Sequence, residues 1–64
     1  MIEVVFSDYG VEVRQHDGRL FARFDRGGVA VDMVEVEITP VDFDRVKTGE
    51  SEAYTLLEIR ARRP

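Results

Sequence analysis

The sequence predicts a mainly β, α+β fold: an antiparallel four- to five-stranded meander sheet with one short helix before a C-terminal strand. Four segments show the alternation or β-branched enrichment of strands, and Asp17-Gly18 joins two of them as a tight turn. Thr39-Pro40 then interrupts the strand pattern with a helix start. A chain of 64 residues is expected to form a single small globular domain, residues 1–64.

The first strand is predicted over residues 2–7. Its apolar residues Ile2, Val4 and Phe6 have the same parity, so they are expected to share one face of the sheet. Asp8-Tyr9-Gly10 follows and supplies the residues of a turn. This strand should therefore pair with the next one along the chain.

A hairpin is predicted between residues 11–15 and 20–25. Asp-Gly at the centre of the connection suits a type I′ turn, because both central residues need positive φ. The turn sets the register and places Arg14 opposite Phe21. The outward face then carries a mainly basic set of residues: Glu12, Arg14, His16, Arg19, Phe21 and Arg23.

Residues 29–38 form the longest β-branched run, and the rest of the chain is expected to pair with it or cover it. A turn at residues 26–28 precedes the run. Apolar and acidic residues alternate in its second half, which directs Glu35 and Glu37 away from the core. The valines of its first half have the opposite parity, which predicts a bulge near Asp32-Met33.

A two-turn helix is predicted over Pro40–Lys47. Thr39 suits the N-cap, and Asp42 and Asp44 are near the helix start, where the dipole favours negative charge. Gly49 lies where a left-handed C-terminal cap is wanted. So short a helix must dock on the sheet to be stable.

The last segment fits two structures. As a strand beside the central one, it sets Arg60 and Arg62 opposite two glutamates, and this charge match favours the C-terminal strand. The alternative is a helix over Glu52–Arg63, with Ser51 as its N-cap and Ile59 outside a broad apolar arc. The arc consists of Ala53, Tyr54, Leu56, Leu57 and Ala61.

Composition narrows the function classes. The chain has no cysteine, so disulfides and cysteine-based metal sites are excluded. Its apolar runs are shorter than the roughly 18 residues needed to cross a bilayer. The first residues also lack the basic and apolar regions of a signal peptide. We therefore expect a soluble, cytoplasmic protein that makes no membrane contact.

The sequence contains no pattern typical of catalysis. His16 lies in a hairpin turn without a second imidazole, and Asp42-Phe43-Asp44 lacks the remaining ligands of a calcium loop. Glu35 and Glu37 project from one strand, whereas glycosidase carboxylates face each other across a cleft. We expect no catalytic residue, no metal and no cofactor, and hence a protein that is not an enzyme.

Negative charge is concentrated in the middle of the chain. The net charge is −4, but residues 29–44 contain five acidic residues and no basic one. Such a block attracts and steers a basic protein surface. The leading hypothesis is a non-enzymatic protein-binding module or inhibitor that engages a basic partner protein. Its predicted binding residues are Asp32, Glu35, Glu37, Asp42 and Asp44.

The hairpin supports an alternative, a nucleic-acid-binding accessory module. Basic residues interleaved with an aromatic ring can bind a single strand, although the acidic block opposes a polyanion. The residues of this alternative face are Arg14, Arg19, Phe21 and Arg23.

Phe21 also suits the centre of a two-fold interface, because a domain of this size lacks buried apolar area. The sequence therefore predicts a homodimer. Tyr9 and Tyr54 are further candidate interface anchors, since aromatic residues are enriched in binding hot spots.

Overall fold

A computed structural model describes residues 1–26 and 32–62. Within these ranges, four antiparallel strands form one sheet in chain order and two helices follow, which confirms the predicted α+β meander. The elements are β1 (Glu3–Asp8), β2 (Val11–His16), β3 (Arg19–Asp25), β4 (Met33–Ile38), α1 (Pro40–Val46) and α2 (Glu50–Ala61).

The β2–β3 hairpin has the predicted register. Asp17 and Gly18 have φ values of 53° and 77°, as the central residues of a type I′ turn require. Arg14 pairs with Phe21 as expected. The inner face of the hairpin therefore carries fully buried residues: Val11, Val13, Ala22 and Phe24.

A bulge in β1 corrects the prediction for the first strand. The register against β2 shifts between Val4 and Phe6, so Val4 pairs with Arg14 on the outer face and Phe6 with Val13 on the inner face. The prediction that Ile2, Val4 and Phe6 share one face is wrong, because the bulge inserts one residue between the last two.

The β1–β2 turn brings the sheet close to α2. Tyr9 and Gly10 both have positive φ, 37° and 79°, which confirms the predicted turn. A Cβ on Gly10 would lie 2.8 Å from the hydroxyl oxygen of Tyr54. That hydroxyl donates a 3.0 Å hydrogen bond to the Tyr9 carbonyl, so the turn and the helix are held together.

β4 has the predicted alternation. Its two valines are half-buried against the core, whereas Glu35 and Glu37 are exposed on the outer face. The bulge predicted near Asp32-Met33 depended on residues 29–31, which lie outside the described residues. The glycines of the turn predicted at 26–28 also lie outside them.

α1 begins as predicted and ends differently. Thr39 Oγ1 accepts a 3.1 Å hydrogen bond from the Asp42 N–H, and the Asp42 carboxylate accepts one of 3.1 Å from the Thr39 N–H. This capping box precedes a first turn with Pro40 at its start. The left-handed cap predicted at Gly49 is wrong: Lys47 is the C-cap, and Gly49 has extended backbone as the N-cap of α2.

The predicted C-terminal strand is also wrong, because this segment forms α2. The helical alternative, Glu52–Arg63, is confirmed in type, but the helix starts at Glu50 with Gly49 as its N-cap instead of Ser51. Ile59 is 53% exposed, outside the apolar arc as that alternative predicts. The helix buries the side chains of Ala53, Leu56 and Leu57.

The core lies between the inner face of the sheet and the two helices. Phe6 connects the two layers, since its ring packs edge-on against Phe43 of α1 with centroids 6.2 Å apart. Neither α1 nor α2 is long and apolar enough to cross a membrane. The buried core residues are Val11, Val13, Ala22, Phe24, Ile38, Val46, Ala53, Leu56 and Leu57.

Candidate protein-binding surface

The outer face of the sheet is the candidate functional surface, because the buried strand residues point to the other side. Among its side chains, Ile2, Val4 and Met33 are exposed by 58%, 51% and 48%. Apolar side chains grouped on one exposed face are typical of an interaction surface. This open face comprises Ile2, Val4, Glu12, Arg14, His16, Arg19, Phe21, Arg23, Met33, Glu35 and Glu37, none of which is buried.

Positive and negative charges alternate across the strands of the open face. Arg23 of β3 lies in register between Glu12 of β2 and Glu35 of β4. Arg14 Nε donates a 2.8 Å hydrogen bond to Glu12. The acidic strand face and the arginine-rich hairpin face, predicted as separate sites, therefore belong to one mixed surface.

The remaining arginine of this surface also has an acidic neighbour. Arg19 Nε lies 4.0 Å from Glu37 Oε2, and both side chains are more than half exposed. Glu37 also pairs in register with Phe21. Because carboxylates accompany the arginines, the open face lacks the continuous positive charge that attracts a polyanion.

A shallow cleft of about 140 Å³ lies on the open face. Phe21 is half-buried there, with Arg14 and His16 from the neighbouring strand. Within the part of the chain that the structure describes, the Glu35 carboxylate makes no ion pair or hydrogen bond. The cleft thus combines an aromatic ring with a carboxylate that a partner can bind. Its lining residues are Ile2, Arg14, His16, Phe21 and Glu35.

The five predicted acidic binding residues do not form one face. Glu35 and Glu37 lie on the open face, and Asp32 is exposed just before β4. Asp44 is exposed on α1 and pairs with a lysine of the same helix end at 3.5 Å. Asp42 is only 4% exposed, so its carboxylate belongs to the interior.

Asp42 joins the two helices. Arg60 of α2 donates hydrogen bonds of 2.9 Å and 3.1 Å to its two carboxylate oxygens. The hydrogen bonds from Arg60 lower the pKa of Asp42 although burial opposes this, and the same contact raises the pKa of Arg60. The strand interpretation missed this pair. In the helical alternative, Arg60 follows the buried Leu57 by three positions, and this spacing could have indicated its inward direction.

The two tyrosines proposed as interface anchors have internal roles. The Tyr9 hydroxyl donates a hydrogen bond to the Val46 carbonyl, and the Tyr54 hydroxyl donates one to the Tyr9 carbonyl. Burial is the main cause of the raised pKa of both phenols. These bonds connect the β1–β2 turn to both helices, which leaves Phe21 as the aromatic residue of the open face.

His16 is one of the residues that line the cleft. Its Nε2 is 3.3 Å from Asp17 Oδ2, and its Nδ1 is 3.4 Å from the Met1 carbonyl oxygen. Residues 1–26 and 32–62 contain no group of three or more side chains suited to holding a metal ion. His16 thus adds a polar side chain to the lining of the cleft.

No family model, curated protein or solved structure matches this chain. Function is therefore inferred from the chemistry of the open face. That face carries exposed apolar groups, the aromatic ring of Phe21 and alternating charges. Protein interfaces commonly combine groups of these kinds.

Proposed function

We propose that this chain is a non-enzymatic protein-binding module or inhibitor that engages a basic partner protein through the open face. The observation that carries the proposal is the cleft that both Phe21 and Glu35 line. Glu35 has no ion partner in the described ranges, and Glu37 has only the 4.0 Å contact with Arg19. Both carboxylates are therefore available to lysine or arginine from a partner.

The apolar groups supply the rest of the proposed interface. Phe21 provides a ring on which an arginine can stack, and Ile2 lines the same cleft. Val4 and Met33 add exposed apolar surface elsewhere on the open face. In such interfaces a few buried anchors contribute most of the binding energy, whereas charges mainly set orientation and association rate. The partner is thus expected to present basic residues beside an apolar or aromatic group.

The mixed charge of the open face favours a protein partner over nucleic acid. Arg14 already donates to Glu12, and Arg23 lies between two glutamates in register. A nucleic-acid strand along these arginines would also meet the carboxylates and be repelled. Titration of the chain with short oligonucleotides at low salt tests the nucleic-acid alternative, which requires that they bind.

The experiment compares two charge reversals of equal size in the complete chain. A partner is captured from the native source, and its affinity for wild type, Glu35→Lys and Asp44→Lys is measured at several salt concentrations. Glu35→Lys should weaken binding about tenfold or more, equivalent to about 1.4 kcal/mol, and should change its salt dependence. Asp44 is exposed on α1, away from the open face, so Asp44→Lys should change affinity less than about twofold. Equal effects of the two variants would contradict the proposal.

We also propose that the open face forms the homodimer interface, with Phe21 at its centre. A second copy would cover the half-exposed Ile2, Val4 and Met33 and add the buried apolar area that a 64-residue domain lacks. Partner binding and dimerisation would then compete for one surface.

A further inference from the structure

The two edges of the sheet differ in regularity. The strand order leaves β1 and β4 with one neighbour each. β1 has a bulge between Val4 and Phe6, and bulges discourage the addition of another strand. β4 pairs with β3 along all of Met33–Ile38 without a register shift. It is therefore the edge better suited to receive a further strand.

The backbone of β4 has N–H and C=O groups on its outer side that can form hydrogen bonds with a further strand. On an edge strand, alternate N–H and C=O groups point away from the sheet. Within residues 1–26 and 32–62, Met33–Ile38 forms no backbone hydrogen bond outside the sheet. Val34 and Val36 are only half-buried, so the core also remains partly open along this edge.

The side chains of β4 define what an added strand should carry. Glu35 and Glu37 are exposed on one side of the edge, and Val34 and Val36 point to the core on the other. Residues directly opposite in an added strand would have Cβ atoms about 4.5–5.5 Å away. Basic residues at alternate positions would pair with the glutamates, while apolar residues between them would cover the valines.

We propose that β4 receives an extended basic segment of the partner protein as a fifth strand, with lysine or arginine alternating with apolar residues. This inference rests on the proposed function and specifies its binding mode. Main-chain hydrogen bonds supply affinity in such strand addition, and alternate side chains supply specificity.

A second copy of this chain is a poor occupant of the edge. If two β4 strands paired antiparallel, Glu35 and Glu37 of one copy would lie in the same row as the glutamates of the other. Like charges at opposed positions destabilise a strand pair. The charge of the edge therefore selects a basic strand.

The test uses a synthetic peptide, Lys-Val-Lys-Val-Lys with blocked ends, and two N-methylated forms of it. One form is methylated at the lysine amides and the other at the valine amides, so charge and side chains are unchanged. Alternate amides of a strand point in opposite directions, so only one methylation pattern blocks hydrogen bonds to β4. Titration calorimetry with the complete chain should show binding of the parent peptide and at least a tenfold loss for one methylated form. The other form should stay within about twofold of the parent, and hydrogen exchange at Met33–Ile38 should slow.

Two outcomes would overturn strand addition. If both methylated peptides bind as well as the parent, basic segments dock by charge alone, and edge pairing is wrong while the proposed function stands. If the parent peptide does not bind, the inference also fails. The comparison of Glu35→Lys with Asp44→Lys against the captured partner tests the proposed function separately, so the two failures are distinguishable.

Discussion

Phe21 and Phe24 lie three positions apart on β3, on opposite faces of the sheet. Phe24 is fully buried and packs edge-on against Tyr54 of α2, with ring centroids 6.2 Å apart. Phe21 is half-buried on the open face, between Arg14 and Glu37 in register. The helices of this small chain cover one side of its sheet. One face therefore supplies stability, and the other remains available for binding.

The largest predicted effect is a difference in stability between alanine variants of these two phenylalanines. Phe24→Ala should cost about 3–5 kcal/mol through lost burial and a cavity, which approaches the whole stability expected of such a domain. Phe21→Ala should cost about 1 kcal/mol or less when both proteins are measured as monomers at low concentration. Urea unfolding followed by circular dichroism measures both midpoints. Equal losses in the monomer would contradict the division of the sheet into a covered face and an open face.

Two glycines with similar φ allow a smaller comparison. Gly10 and Gly18 both have positive φ, so replacement by alanine should cost about 1–2 kcal/mol at either position. A Cβ at Gly10 would also displace the Tyr54 hydroxyl, whereas no atom lies within 4 Å at Gly18. Gly10→Ala should therefore lose about 1 kcal/mol more, through the hydrogen bond from Tyr54. Thermal unfolding of both variants checks this difference, and an equal loss would contradict the contact with α2.

Asp42→Asn is expected to lower the free energy of unfolding, and the size of this effect should depend on pH. The amide oxygen introduced at position 42 can still accept from the Thr39 N–H, so the capping box is largely kept. The expected loss of about 1–3 kcal/mol comes from the charged hydrogen bonds with Arg60. Because folding lowers the pKa of Asp42, the unfolded chain takes up its proton at a higher pH than the folded chain. The stabilisation is complete above about pH 4 and declines as the pH falls through the folded-state pKa.

Urea midpoints of wild type and Asp42→Asn should therefore differ at pH 7 and converge at lower pH. Asp44→Asn is the matched control, since Asp44 is exposed on the same helix. It should change stability little at any pH. A difference for Asp42→Asn that persists unchanged below the folded-state pKa would show that the charge of Asp42 is not responsible.

The smallest expected effect on folding concerns assembly. If the open face forms a homodimer, light scattering after size exclusion should give twice the 7.3 kDa chain mass. Phe21→Glu should halve the mass while the monomer stays folded, because the core lies on the other face of the sheet. Ile59→Glu is the control, because Ile59 is similarly apolar and exposed but lies on α2. A wild-type chain that remains monomeric at high concentration would end the dimer proposal.

Local residues were sufficient to predict the β1–β2 and β2–β3 turns and the start of the first helix. Positive φ at Asp17 and Gly18 sets the hairpin register, and Thr39 as the N-cap with Pro40 in the first turn starts α1. These features depend on hydrogen bonds and backbone preferences within a few positions. The bulge in β1 was missed, because which apolar residues face the core depends on the partner strand.

Tertiary burial decided the structure of the C-terminal segment. The strand prediction relied on surface ion pairs, which are worth about 1 kcal/mol or less each. As a helix, the segment buries Ala53, Leu56 and Leu57 over the inner face that α1 is too short to cover. At about 25 cal/mol per Å² of apolar surface, this burial outweighs the exposed charge pairs.

The sequence by itself determined the alternation that directs Glu35 and Glu37 outward and Phe24 inward. Only the tertiary structure decided which charged side chains form ion pairs within the protein. Asp42 is occupied by Arg60, 18 positions away, while Glu35 has no such partner among the described residues. The physical reason is distance: side-chain direction follows from local backbone geometry, whereas ion pairing requires atoms from remote segments to meet within about 4 Å.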